Sequence, residues 1–136
     1  MKFLLDTNIV SELRKLKPHG AVLAWFEAHP QASYAIPAIA LFELQEGAEM
    51  TRHQNPQKAA ELDIWIDDVT RRWPILSLDA PSAREAARYL HKKSPHLIED
   101  GMIAAIARVH SLTVATRNTK DFEQFNVKTI NPFSYQ

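Results

Sequence analysis

A chain of 136 residues with 46% hydrophobic side chains can bury one core and is too short for two ordinary domains, so residues 1–136 are read as a single domain. Lys and Arg number 16 and so do Asp and Glu, which excludes a global positive field; nucleic-acid binding would have to come from a local patch or from bound cations. The absence of cysteine excludes a disulfide scaffold, a thiolate zinc site and a thiol nucleophile, and with no apolar run of signal-peptide or membrane-span length the expectation is a cytoplasmic protein without membrane contact.

The first apolar run, residues 2–5, predicts a strand. It stops at Asp6-Thr7-Asn8, small polar residues suited to capping the helix suggested by Ile9, Val10, Leu13 and Leu16. Pro18-His19-Gly20 breaks that helix, and Val22, Leu23 and Phe26 suggest a second that closes before Pro30. Residues 33–36 form a second strand stopped by Pro37. Two helices follow over residues 38–50 and about 56–72, expected to pair as a hairpin, with Ile39, Phe42 and Leu44 on one and Leu62, Ile64, Trp65, Ile66 and Val69 on the other. Residues 74–78 are a third strand, and Asp79 can cap the helix of Ala83, Ala86, Ala87, Tyr89 and Leu90. Ser94-Pro95 opens a helix that ends near His110, and residues 112–115 and 127–130 complete the strands. Short apolar strands alternating with helices predict a three-layer α/β/α sandwich around a parallel sheet of four or five strands, because parallel neighbours need crossover connections and both sheet faces must be covered.

In such a sheet ligands bind beyond the carboxyl ends of the strands, where strand order reverses. Asp6 stands at one such end, although helix capping alone would explain it. Glu43 is the only charge in residues 38–44 and lies one helical turn beyond Ile39, so it faces the core or its rim; an ordinary ion pair with Arg52 or Arg14 is the plain alternative. Glu99 and Asp100 open the most apolar helix, and Asp100 shares a face with Ile103, Ala104 and Ala107, although first-turn acids also simply complement the helix dipole. Gly101 is a poor helix residue whose presence suggests close approach of backbone or ligand. Asp121 follows the fourth strand and could be a turn or cap residue. Carboxylates brought that close must be protonated or neutralised by cations, and an oxygen-only donor set without His or Cys points to Mg²⁺ or Mn²⁺ rather than zinc.

Four segments carry a resemblance: Leu5-Asp6-Thr7-Asn8, Phe42-Glu43-Leu44 with Gly47, Asp100-Gly101-Met102-Ile103-Ala104-Ala105, and Thr116-Arg117-Asn118-Thr119-Lys120-Asp121-Phe122. In this order and at this length the chain resembles the PIN-domain family, and within it the VapC/FitB-type toxins of toxin–antitoxin pairs. The resemblance implies a Mg²⁺-dependent endoribonuclease, with Mn²⁺ as an alternative cation. It implies an acidic quartet of Asp6, Glu43, Asp100 and Asp121, in which Asp6 and Asp100 hold the metal directly and Glu43 and Asp121 act through water or a second ion. Thr116 and Asn118 are implied as water-orienting or supporting groups. Gly101 departs from the Ala common in relatives, and Glu99 could exchange roles with Asp100. The implied partners are a cognate antitoxin seated in a hydrophobic groove, for which Trp25, Phe26, Trp65 and Trp73 are candidate lining residues unless they are core, and a second copy of the chain in a homodimer or a higher toxin–antitoxin assembly. Arg14, Lys15, Lys17, Arg117 and Lys120 are candidate RNA-phosphate contacts, each of which could instead be a solvated charge.

Two other readings stand beside this one. A PIN-fold nuclease of RNA processing would share every motif. A receiver-like phosphoacceptor domain would use Asp6, Asp79, Thr116 and Lys128, but leaves Glu43 and Asp100 without a role.

Overall fold

The computed structural model describes residues 1–136, and in it the five apolar runs pair as one all-parallel sheet: β1 (Phe3–Leu5), β2 (Tyr34–Pro37), β3 (Ile75–Leu76), β4 (Thr113–Ala115) and β5 (Thr129–Ile130), in the order β3-β2-β1-β4-β5. Seven helices join them: α1 (Thr7–Arg14), α2 (Gly20–Glu27), α3 (Ala38–Arg52), α4 (Pro56–Arg72), α5 (Ala80–Leu90), α6 (Ile98–Val109) and α7 (Thr119–Phe122). This is the expected α/β/α layering. Alternation along each strand divides the core in two. Phe3, Leu5, Tyr34, Ile36 and Ala115 meet side chains of α1 to α4 such as Ile9, Trp25, Leu44 and Val69. Leu4, Ala35 and Val114 meet Ile103, Ala104, Ile106 and Ala107 of α6 with Phe122 and Phe125. Burying an aliphatic side chain completely is worth about 1.5–3 kcal/mol, so the wholly buried Leu4, Leu5 and Ile36 anchor the central strands to both layers.

Several elements are shorter than the periodicity predicts. α1 ends at Arg14, because Lys15 turns extended and the Glu12 carboxylate accepts from both Lys15 Nζ and the His19 N–H, each at 2.9 Å. Leu16, expected on the apolar stripe, is consequently fully exposed. β3 keeps only Ile75 and Leu76, and Ser33 and Pro95 belong to 3₁₀ turns. Phe42 and Ile64 point to solvent. α3 and α4 form the expected hairpin, tied by Arg52 Nη2 donating to Asp63 at 2.9 Å. No helix is long and apolar enough to cross a membrane.

β1 and β4 are neighbours although far apart in sequence, so strand order reverses between them. Asp6 and Thr116 each come directly after these two strands, at the rim where the crevice of a parallel sheet opens.

Candidate metal and nuclease site

Asp6 is 5% exposed, and its oxygens are held from three directions. Oδ1 accepts from the Thr7 N–H at 2.8 Å, while Oδ2 accepts from the Thr116 hydroxyl at 2.8 Å and from the Asn8 amide at 3.3 Å. Burial raises its pKa above the ordinary carboxylate value, against the pull of those bonds.

α3 starts immediately after β2 at Pro37, which places Glu43 over the same rim. Its Oε1 accepts from the Thr7 hydroxyl at 2.8 Å. Burial, then repulsion from Glu99 and Asp6, pushes the Glu43 carboxyl up to about 7. Neither suggested ion pair forms. Arg52 is taken by Glu49 and Asp63, at 2.8 and 2.9 Å, and Arg14 lies over the Trp65 ring at 5.5 Å.

Asp100 sits in the first turn of α6, half-buried. Burial first, then the charges of Asp6, Asp121 and Glu99, push its carboxyl up to about 6. Asp121 is exposed on α7 and reaches the group through this repulsion. Glu99 is exposed too, and its charge repels Asp6, Glu43 and Asp100 alike.

No lysine or arginine of the chain pairs with Asp6, Glu43, Asp100 or Asp121; the five ion pairs lie elsewhere. Asp6 repels both Glu43 and Asp100, and Asp121 repels Asp100, yet no three of the four are arranged as a finished coordination shell. The donor chemistry fits a hard divalent cation: oxygens only, partly desolvated, mutually repelling and lacking a counter-charge.

Thr116 is wholly buried and joins the site through its bond to Asp6, while its oxygen accepts from the Asn118 N–H at 3.0 Å. Asn118 therefore contributes its backbone; its side chain is exposed and makes no hydrogen bond. Thr7 and Asn8, which the sequence suggested only as caps, join the hydrogen-bond network around the acids. Thr7 links Asp6 to Glu43, and Asn8 links Asp6 to the Arg117 N–H, which donates to Asn8 Oδ1 at 3.1 Å. Among the basic candidates, Arg14 is stacked on Trp65 and Lys15 is paired with Glu12, whereas Lys17, Arg117 and Lys120 are exposed and outside every ion pair. The group that approaches Gly101 closely is the Leu90 side chain of α5: a Cβ there would stand 2.6 Å from Leu90 Cδ2. Trp25 is core, while Phe26, Trp65 and Trp73 line a cavity of about 140 Å³ between α1, α2 and α4.

The phosphoacceptor arrangement is not present. Asp79 follows β3 at the sheet edge and caps α5, its Oδ1 accepting from the Ser82 N–H at 2.9 Å, and Lys128 precedes β5, at the opposite rim from Asp6.

Residues 3–128 match the model of the PIN domain family. The chain is 35% identical to the VapC ribonuclease Y4jK of Sinorhizobium fredii, over 96% of both chains. It is 34% identical to Toxin FitB of Neisseria gonorrhoeae, over 96% of this chain and 97% of the other. The crystal structure of FitAcB from Neisseria gonorrhoeae superposes with a TM-score of 0.85 at 33% identity, covering 97% of this chain and 99% of that one. With a matching family model over nearly its whole length, and the acidic rim seated where the sheet reverses its order, the chain belongs to the PIN domain family.

Proposed function

We propose that this chain is a divalent-metal-dependent endoribonuclease acting as the toxin of a toxin–antitoxin pair. The observation that carries the reading is the gathering of Asp6, Glu43 and Asp100 at one sheet rim, two of them pushed well up in pKa, with no cation of the chain to neutralise them. Relatives named as a VapC ribonuclease and as Toxin FitB support the activity and the role. Divalent-metal dependence is general among PIN nucleases, and we assign the ion as Mg²⁺.

Asp6 and Asp100 would hold the ion directly, with Glu43 and Asp121 acting through water or a second ion. Bound there, Mg²⁺ supplies an activated water and screens the phosphodiester from the carboxylates. The chain does the rest. Thr116, Asn8 and the Thr7 N–H fix the Asp6 carboxylate, and the Thr7 hydroxyl turns Glu43 toward it. Water attacks phosphorus in line, the bond to the 3′ oxygen breaks, and the products carry a 5′-phosphate and a 3′-hydroxyl.

A nuclease of this kind must be restrained in the cell that makes it, so we assign a cognate antitoxin as partner, and a homodimer as the assembly. In a cleavage assay on total tRNA and rRNA, Asp6→Asn and Asp100→Asn are expected to lose Mg²⁺-dependent activity while keeping the native circular dichroism spectrum. Full activity of the wild type in EDTA would sink the proposal.

A further inference from the structure

An acidic rim repels the polyanion it is meant to cut, so substrate must also be held by a cation that does not collapse onto the carboxylates. Arg117 meets that requirement. It directly follows Thr116, whose hydroxyl donates to Asp6, and its own N–H donates to Asn8, whose amide donates to Asp6 in turn. The backbone at residue 117 is thus tied to the acidic rim on both sides. Its guanidinium nevertheless pairs with no carboxylate; it lies over the Phe133 ring, 4.5 Å from the centroid.

The ring is itself fixed. Phe133 belongs to a 3₁₀ turn, Pro132–Ser134, capped by Asn131 Oδ1, which accepts from the Phe133 N–H at 3.0 Å. It is half-buried against the α1–α4 side of the core, with the His19 ring 5.1 Å away. A guanidinium held over a ring uses no N–H in an ion pair, so its donors stay available in the fork that matches phosphate oxygens. Lys17 and Lys120 have no comparable support; each is a flexible, exposed ammonium.

Resting on the ribonuclease reading above, we propose that Arg117, stacked on Phe133, is the arm that grips a backbone phosphate of the RNA beside the acidic site, and that Phe133 is the positioning residue that keeps it extended. Without the ring, Arg117 is free to fold onto its acidic neighbours, where it would neutralise a carboxylate and lose its grip on substrate.

The test is steady-state cleavage of deproteinised total tRNA with Mg²⁺ across a series of salt concentrations. Arg117→Ala and Phe133→Ala are each expected to raise the apparent KM about tenfold with kcat changed less than about twofold, the signature of a lost uniform binding contact. Each should also reduce the slope of log kcat/KM against log salt by about one. Phe133→Tyr should behave as wild type and Phe133→Leu as Phe133→Ala, a split that a purely space-filling role would not produce. The double variant should be no worse than Arg117→Ala alone. Wild-type KM and salt slope in Arg117→Ala, or in Phe133→Leu, would overturn the proposal. If the Phe133 variants fail to fold, Arg117→Lys decides: it keeps the charge and loses the stacked fork, so a raised KM upholds the proposal and a wild-type KM overturns it. A wild type that cleaves no RNA would instead sink the ribonuclease reading, an outcome distinct from all of these.

Discussion

Thr116 uses one oxygen twice, donating to Asp6 at 2.8 Å and accepting from the Asn118 N–H at 3.0 Å, with no exposure to solvent. Thr116→Val keeps the shape and removes both bonds, leaving a desolvated carboxylate oxygen and an N–H short of partners. Such losses cost about 1–3 kcal/mol, so Thr116→Val is expected to lower the urea-unfolding free energy by that amount, with Thr116→Ser close to wild type; equal stability of all three proteins would show that the network carries no weight. The acids themselves were legible in the sequence, because Asp6, Glu43 and Asp100 interrupt apolar runs where a charge needs a reason. Their supporting groups were not. Thr7 meets Glu43 across 36 residues, and Thr116 meets Asp6 across 110, separations over which a single sequence gives no local signal. The reach of Glu99 to Glu43 was hidden for the same reason.

Between elements, α5 and α6 approach closely at Gly101, where an added Cβ would lie 2.6 Å from Leu90 Cδ2 and 2.7 Å from its Cγ. Alanine gains helix propensity of about 1 kcal/mol but must displace Leu90, and overpacking of this kind costs about 1–3 kcal/mol. Gly101→Ala is therefore expected to be neutral to destabilising by thermal melting, and to become stabilising once Leu90→Ala vacates the slot; a stabilising single variant would contradict the crowding. The sequence suggested that Gly101 admits close approach of backbone or ligand and left open which, because it shows that a side chain is missing but not what fills the space. Strands and helices were legible by type, since runs such as Phe3–Leu5 are apolar on both faces and the helices carry a 3.6-residue stripe. Their ends were less so. Leu16 fits the stripe of α1, yet the Glu12 carboxylate draws the chain back into a bend that leaves it in water, a tertiary choice that outranks periodicity.

For the molecule as a whole, the unneutralised acids link stability to pH and to divalent cations. Glu43 and Asp100 are pushed up to about 7 and about 6 in the fold, from ordinary values of 4.5 and 3.8, so across that interval the folded chain binds more protons than the unfolded one. Their contribution to stability then falls as pH rises from about 4 to about 7, and levels off above it. Cations compete with protons for the same oxygens. Mg²⁺ is thus expected to raise the melting temperature near pH 8, by the equivalent of about 2.7 kcal/mol at one hundred times its Kd, and to do little near pH 5, where Glu43 and Asp100 are protonated. An equal rise at both pH values would count against carboxylate binding. The chain order of the sheet adds a consequence for synthesis. β1, the first strand to leave the ribosome, is the middle strand, and its neighbour β4 is among the last. A nascent or prematurely terminated product that stops short of Thr113 lacks the strand and the hydroxyl that seat Asp6, so this topology withholds cleaving capacity until β4 and Thr116 have been made.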